Sequence, residues 1–239
     1  MKRPLPTQSD ESKDERRFDF FLAASHQLKS PVAIIKWCLE SALDRGELSV
    51  KDKELVRKAN IQAGSMGTLI TDMLQVLRLE NSDRQNGFER VMLAALIVEI
   101  QSQYESFARE RGVSLIVRPS RSHHSAMADP TYLKQAIINL VDNAIKYSKP
   151  MGTVEIGVDE IDGMTRIFVH DEGIGINQAE QLMLFREFFR GQEAKTVAYE
   201  GTGLGLVLVK HIAESFYGRV EVSSQLGLGS TFALLLPKT

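Results

Sequence analysis

The sequence predicts a helical hairpin that pairs with a second copy, followed by a mixed α/β half. Two observations carry this. Residues 15–80 show no strand-like alternation and hold one proline, while their apolar residues recur at heptad spacing. From residue 88 onward, short strand-like runs alternate with amphipathic helical stretches and glycine clusters. A chain of 239 residues accommodates one large domain or two modest ones.

Residues 1–14 read as a polar lead-in without the apolar core of a signal peptide. In the first helix Leu28, Val32, Ile35, Leu39 and Ala42 are spaced 4, 3, 4, 3. The glycine and charges of Asp44 to Asp52 break that pattern. A second helix follows, with Leu55, Ala59, Gln62, Met66, Leu69, Met73 and Val76 on the same spacing, and Ala63, Ile70 and Leu77 widening the stripe. Two helices with a short connection make an antiparallel hairpin, and a lone hairpin cannot bury so broad a face. A second copy that completes a four-helix bundle would bury it, which predicts a homodimer. The alternative is that the second half of the chain covers it.

The polar stretch 81–87 reads as a linker, and 88–239 as the second domain. There, a helix is expected from Leu93 to Arg111 and a strand from Ser114 to Arg118. A helix opens at Asp129-Pro130, a carboxylate N-cap followed by proline at the first helical position, and runs to Tyr147. Strands are expected at Thr153 to Val158 and Thr165 to His170, a helix at Gly203 to Phe216, and strands at Arg219 to Ser224 and Thr231 to Leu236.

The composition is that of an ordinary globular chain, 43% hydrophobic and 25% charged, with a net charge of −2. It gives no electrostatic case for nucleic acid or an anionic membrane as a main partner. The single Cys38 excludes an internal disulfide framework and a multi-cysteine zinc site. The longest apolar run, Val91 to Val98, is far too short to span a bilayer. The expectation is a soluble, cytoplasmic piece, with any membrane-bound sensor lying outside it. The tandem His123-His124 sits in a polar loop and is expected at the surface.

Four stretches carry chemistry. On the helix from Asp129, the residues Gln135, Asn139, Asn143 and Lys146 form one polar stripe. Amide oxygens are suitable hard ligands for Mg²⁺, and a lysine could meet phosphate charge. The alternative is a plain solvated face. "HDEGIGI" (170–176) ends a strand with Asp171 and lets backbone approach a ligand at Gly173 and Gly175. A buried carboxylate there accepts from the amine of adenine and repels the oxygen of guanine; a tight acidic turn is the alternative. "GTGLGL" (201–206) sets three glycines before a helix N-terminus, an anion site. It lacks the Lys-Ser or Lys-Thr of a Walker loop and fits a dinucleotide fingerprint poorly. Between the glycine clusters, Leu184 to Glu200 is long and non-periodic, as a lid would be. Core packing is the alternative for Phe185, Phe188 and Phe189.

In chain order the four stretches resemble the N, G1, F and G2 boxes of the Bergerat-type ATP-binding fold shared by sensor histidine kinases and gyrase-type ATPases. "SHQLKSP" (25–31) resembles the H box of a sensor histidine kinase, and the resemblance spans about Phe18 to Pro237. It implies a dimeric helical hairpin joined to a two-layer α/β sandwich, with ATP and Mg²⁺ as cofactors. His26 would be the phosphoacceptor, with Gln27 and Ser30 beside it in catalysis. Asn139 would be the Mg²⁺ ligand. Asn143, Lys146 and Tyr147 would line the nucleotide, Asp171 would read adenine, and Gly173, Gly175, Gly201, Gly203, Leu204 and Gly205 would shape its cradle. The family passes the phosphoryl group to an aspartate on a response-regulator receiver domain.

His26 lies two residues before Leu28, about 200° around an ideal helix, so it faces away from the seam. An exposed imidazole titrates near ~6.5 and is mostly neutral and nucleophilic at pH 7. Pro31 leaves the Gln27 carbonyl without its helical partner, so a bend is expected beside His26. Departures from the family pattern are Gln27, where Glu or Asp is common, and Lys29 and Ser30, where Arg and Thr are usual. Gln27 accepts a hydrogen bond without adding charge, which predicts a slower autokinase. Ser30 keeps a hydroxyl for a phosphatase activity. The rival readings are a dimeric ATP-binding scaffold with little transfer, and a gyrase-type ATPase.

Overall fold

The computed structural model describes residues 28–29, 32–44, 48–81, 87–120, 124–197 and 201–238. The chain divides into two compact units, Met1–Asn81 and Ser82–Thr239. The positions His26, Gln27, Ser30 and Pro31, and with them the expected bend, lie outside the described residues.

The first unit is helical. Helix α1 covers residues 32–44 and α2 covers Val50–Asn81. Ser49 starts α2 as a reciprocal cap: its Oγ accepts the Asp52 N–H at 3.2 Å and donates to the Asp52 carboxylate at 2.6 Å. Val32, Ile70 and Leu74 cluster as a small core between the helices. Much of the heptad seam stays in solvent: Leu28, Ile35, Leu55 and Met66 are each more than half exposed. Within this unit the stripe is thus divided: Val32, Ala63, Ile70 and Val76 are buried, while these four stay exposed.

The second unit holds two sheets. Strands β1 (Glu89–Met92) and β3 (Ser125–Ala128) form an antiparallel pair. Strands β2 (Ser114–Val117), β4 (Thr153–Ile161), β5 (Met164–Asp171), β6 (Arg219–Gln225) and β7 (Gly229–Pro237) form a sheet in the order β2-β4-β5-β7-β6. The β2–β4 pairing is parallel and the other three are antiparallel. Helices α3 (Leu93–Glu110), α4 (Pro130–Tyr147) and α7 (Gly205–Ser215) pack on one face. Strand alternation sends Val154, Ile156, Ile167, Val169 and Leu234 into that layer, where Leu133, Ile137, Leu140, Leu208 and Ile212 meet them with almost no exposure. On the opposite face the Phe168 ring occupies the space above Gly157, flanked by the guanidinium groups of Arg118 and Arg166 at 4.7 and 5.2 Å from its centre. The architecture is the helical region and two-layer α/β sandwich expected.

Asp129 caps α4 by accepting from Thr131 N at 2.8 Å and Tyr132 N at 3.3 Å, ahead of Pro130. Two short helices, α5 (Gln178–Gln181) and α6 (Gln192–Val197), lie between β5 and α7. The sequence pattern misses them, together with β1 and β3, since each is a turn of helix or four residues of strand. His124 corrects an expectation: it is buried, at 9% exposure, with Nδ1 3.6 Å from Glu160. No helix among the described residues is long and apolar enough to cross a membrane.

Candidate functional site

Asp171 ends β5 on the helix-covered face, in register with Val154 and Ser230. It is 4% exposed. Its Oδ1 accepts the Gly173 N–H at 2.9 Å, and the Ser230 backbone N–H also bonds to the carboxylate. Burial pushes its pKa up to about 6, against the opposing pull of those two amides and of His170. At neutral pH it remains mostly ionised, an acceptor for a ligand N–H that the site cannot satisfy otherwise.

The turn after Asp171 is folded onto the end of α4. The Tyr147 carbonyl accepts the Ile174 N–H at 3.1 Å, and Ser148 bridges to Gly173. A Cβ on Gly173 would lie 2.3 Å from that carbonyl and 2.5 Å from Asp171 Oδ1, so glycine is required for the close approach. Gly175 adopts φ +65°, and a Cβ there would lie 1.9 Å from the Gln225 carbonyl. Tyr147 therefore contributes its backbone to this turn, in addition to a half-buried side chain.

Asn139 joins α4 to the head of α7. Its Nδ2 donates to the Gly205 carbonyl at 3.3 Å, and its Oδ1 accepts from Gln135 Nε2 at 3.1 Å. Asn143 is half-buried one turn further along the same stripe. Lys146 is ion-paired with Asp142 at 2.6 Å, so a phosphate would share or displace that carboxylate. Gly203 has φ +72° and would place a Cβ 2.8 Å from the Phe188 backbone, setting the glycine run against the lid. Leu204 buries its side chain at 3% exposure and gives its N–H to Thr202 Oγ1 at 3.2 Å, so its side chain belongs to the core. The first amides of α7, from Gly205 on, have no acceptor within the helix and point along its positive end. Gly201, with φ +151°, opens this run.

The structure thus brings Asp171, Gly173, Gly175 and Tyr147 together at one end of the sheet, and Asn139, Gly203 and Gly205 together at the head of α7. A cavity lined by Phe185, Lys210, Glu214 and Arg219 lies at the other end of α7 and contains none of them. Ser230 escaped the sequence reading. The signal was the glycine-flanked hairpin "GLGS" (227–230), where a Cβ on Gly229 would meet the Asp171 carbonyl at 1.9 Å.

Asn139 fits a magnesium ion only as a minor ligand. It offers one neutral amide oxygen, and the described residues hold no cluster of three His, Cys, Asp or Glu that would cage a metal. That donor set suits an ion held mainly by nucleotide phosphates and water.

Residues 16–82 match the His Kinase A (phospho-acceptor) domain, and residues 128–239 match the histidine kinase-, DNA gyrase B-, and HSP90-like ATPase family. The sensor-like histidine kinase SenX3 of Mycobacterium tuberculosis is 33% identical over 231 residues, 96% of this chain and 56% of that protein. The chain therefore spans little more than half the length of that relative. The full-length structure of ShkA in complex with AMPPNP shares the fold, with a TM-score of 0.73 at 23% identity over 92% of this chain and 46% of that one. The catalytic domain of histidine kinase ThkA gives a TM-score of 0.56 at 27% identity, covering 64% of this chain and 96% of that one. With a phosphoacceptor domain followed by an ATPase domain, and relatives of that same kind along nearly its whole length, the chain belongs to the sensor histidine kinases and constitutes a histidine kinase catalytic core.

Proposed function

We propose that this chain binds ATP in the second unit, transfers the γ-phosphoryl group to His26 and passes it on to an aspartate of a response-regulator receiver domain. The observation that supports this best is the buried Asp171 carboxylate, held by two backbone amides beside glycines that admit no side chain. Such an acceptor selects a purine carrying an amine where guanine carries an oxygen. The amides heading α7 and Lys146 would take the phosphate charge, and Asn139 Oδ1 would complete the shell of a bound Mg²⁺. Magnesium, when bound, neutralises phosphate charge and orients the transferring group.

In the transfer, a neutral nitrogen of His26 forms a bond to phosphorus as the bond to the ADP oxygen breaks, and ADP leaves. Gln27 accepts the other ring N–H and fixes the tautomer without lending charge. The exposed seam residues Leu28, Ile35, Leu55 and Met66 support a homodimer through the hairpin, which would present His26 on a four-helix bundle. Ser30, one turn from His26, is the hydroxyl available for a phosphatase activity.

Incubation with γ-labelled ATP and Mg²⁺ tests the reading. Acid-labile, base-stable label is expected on the wild type and none on His26→Gln. Label of equal amount on both proteins refutes the assignment. The neutral Gln27 favours one rival, a scaffold that binds ATP and transfers little; saturable ATP binding without label on the wild type would establish it.

A further inference from the structure

We propose that Gln181 and Ser224 form a clasp that holds the Gly173–Ile176 turn in the shape that receives the purine, so that both are positioning residues for nucleotide binding. The inference rests on the nucleotide-binding reading above.

Both residues lie outside the glycine motifs. Gln181 Nε2 donates to the Ile176 carbonyl at 3.0 Å and to the Ser224 carbonyl at 2.9 Å. A carboxamide nitrogen carries two hydrogens, so its whole donor capacity goes into tying the turn to β6. The Ser224 hydroxyl makes the reciprocal tie. Its Oγ accepts the Ile176 N–H at 2.8 Å and lies 2.9 Å from both the Gly229 carbonyl and Ser230 Oγ. A hydroxyl has one hydrogen and two acceptor sites. The Gly229 carbonyl can only accept, so it takes that hydrogen, and Ser230 must then donate. The network is thereby complete, and it fixes Ser230, the residue in register with Asp171 whose N–H bonds to the carboxylate. A further bond closes the turn from the other side, from Gly227 N–H to the Ile174 carbonyl at 2.7 Å.

Local structure explains why Gln181 reaches both carbonyls. Asn177 caps α5 by accepting the Ala179 N–H at 3.1 Å, which sets the helix back against the turn. The preceding residue, Glu180, accepts the Gln192 N–H of the lid at 3.0 Å. One short helix therefore carries the clasp on one residue and a lid tether on the residue before it.

The test uses the full chain and the variants Gln181→Leu, Ser224→Ala and Ser224→Thr. Calorimetry gives Kd for Mg·ADP, labelling gives KM and kcat for ATP, and thermal melts report folding. Loss of either tie is expected to raise Kd and KM about tenfold, the scale of one or two net hydrogen bonds, with kcat at saturating ATP within about twofold. Ser224→Thr keeps the hydroxyl and is expected to restore Kd. A residue that only stabilises the fold would lower Tm and the amount of active protein while leaving Kd and KM alone; that result overturns the clasp, as does wild-type affinity in both Gln181→Leu and Ser224→Ala. If the wild type itself binds no ADP, the nucleotide reading falls and the clasp with it. If the wild type binds and the variants bind equally, the clasp alone falls.

Discussion

The purine end and the lid end of the candidate site are held in different ways. At the purine end, Asp171, Gly173 and Gly175 are all buried, and each passes within bonding or contact distance of a different element: β7, the end of α4, and the β6–β7 hairpin. Along the lid, residues 184–194 and 196 are all half-buried or exposed. Its bonds include local turns such as Arg186 N–H to the Met183 carbonyl and Phe189 N–H to the Arg186 carbonyl, besides the Glu180 tether. A recognition element gains by being rigid before the ligand arrives, because less entropy is lost on binding. A segment that must admit and release a nucleotide gains by local instability. Variants that strike one end only should separate these roles.

The largest effect is expected from Asp171→Asn. An amide can turn its oxygen toward Gly173 N–H and meet the adenine amine donor to donor, or turn it toward adenine and set its NH₂ against the backbone amides. Either way a buried donor is orphaned, and a site built for a hydrogen bond rejects such a mismatch strongly. Affinity for ATP should fall about a thousandfold. Removal of a buried charge offsets the lost carboxylate bonds, so the melt should stay cooperative. ATP affinity within tenfold of wild type would show that Asp171 does not read the purine.

A smaller effect follows from titration of the same group. With the pKa raised to about 6, the carboxylate takes up a proton as pH falls through that value, and its acceptor role is lost. Binding of adenosine, which brings no titrating phosphate, should be flat above pH 7 and weaken about tenfold per unit well below 6. The sign for stability is opposite. The folded pKa lies above the ordinary carboxylate value, so the stability linked to Asp171 is fully present below the ordinary carboxylate pKa and lost as pH rises from there through about 6, on the order of 3 kcal/mol. A pH profile of adenosine binding that stays flat from 8 to 5 would refute the assignment.

The same division marks what the sequence could reveal. The hairpin helices, α3, α4 and α7, and the five strands of the main sheet follow from local patterns: heptad spacing, the Asp129-Pro130 cap, and alternation along β4, β5 and β7. The glycines at 173 and 175 also announce themselves, because a run of glycines after an acidic strand end implies a close backbone approach, and the chain passes a Cβ position there at about contact-forbidden range. What stayed hidden depends on register between distant strands. Ser230 meets Asp171, and Ser224 meets Ile176, through pairings that no local window contains. His124 looked like half of an exposed histidine pair, yet it is buried with its ring beside Glu160 at the end of β4, far away in sequence. The lid has no period to read, so only its position between two glycine clusters marked it.

Two glycine variants sharpen the comparison further. Gly175→Ala forces a Cβ to 1.9 Å from the Gln225 carbonyl at φ +65°, inside the tightly packed turn. It should destabilise the second unit by about 3 kcal/mol, seen as a lower midpoint in urea. Gly203→Ala carries similar backbone strain, at φ +72°, but meets the Phe188 backbone 2.8 Å away in the lid. There the neighbour belongs to the lid and can shift, so little beyond the left-handed backbone cost of about 1–2 kcal/mol should remain in the midpoint, while KM for ATP rises. Equal destabilisation by both variants would mean that the lid is packed as firmly as the purine turn.

The smallest expected effect comes from Phe188→Gly. Phe188 holds φ +60° with its side chain 58% exposed, so it carries the backbone cost of a left-handed residue with little burial in return. That cost is about 1–2 kcal/mol for a side chain with a Cβ, and glycine avoids it while adding chain entropy to the unfolded state. The two nearly cancel, and the net gain should be about 0.5 kcal/mol, read as a slightly raised urea midpoint. A fall of more than about 1 kcal/mol, beyond what a mostly exposed side chain contributes, would mean that the Phe188 ring is a structural anchor of the lid. In that case the lid is held by packing, and the contrast between the two ends narrows to the hydrogen bonds alone.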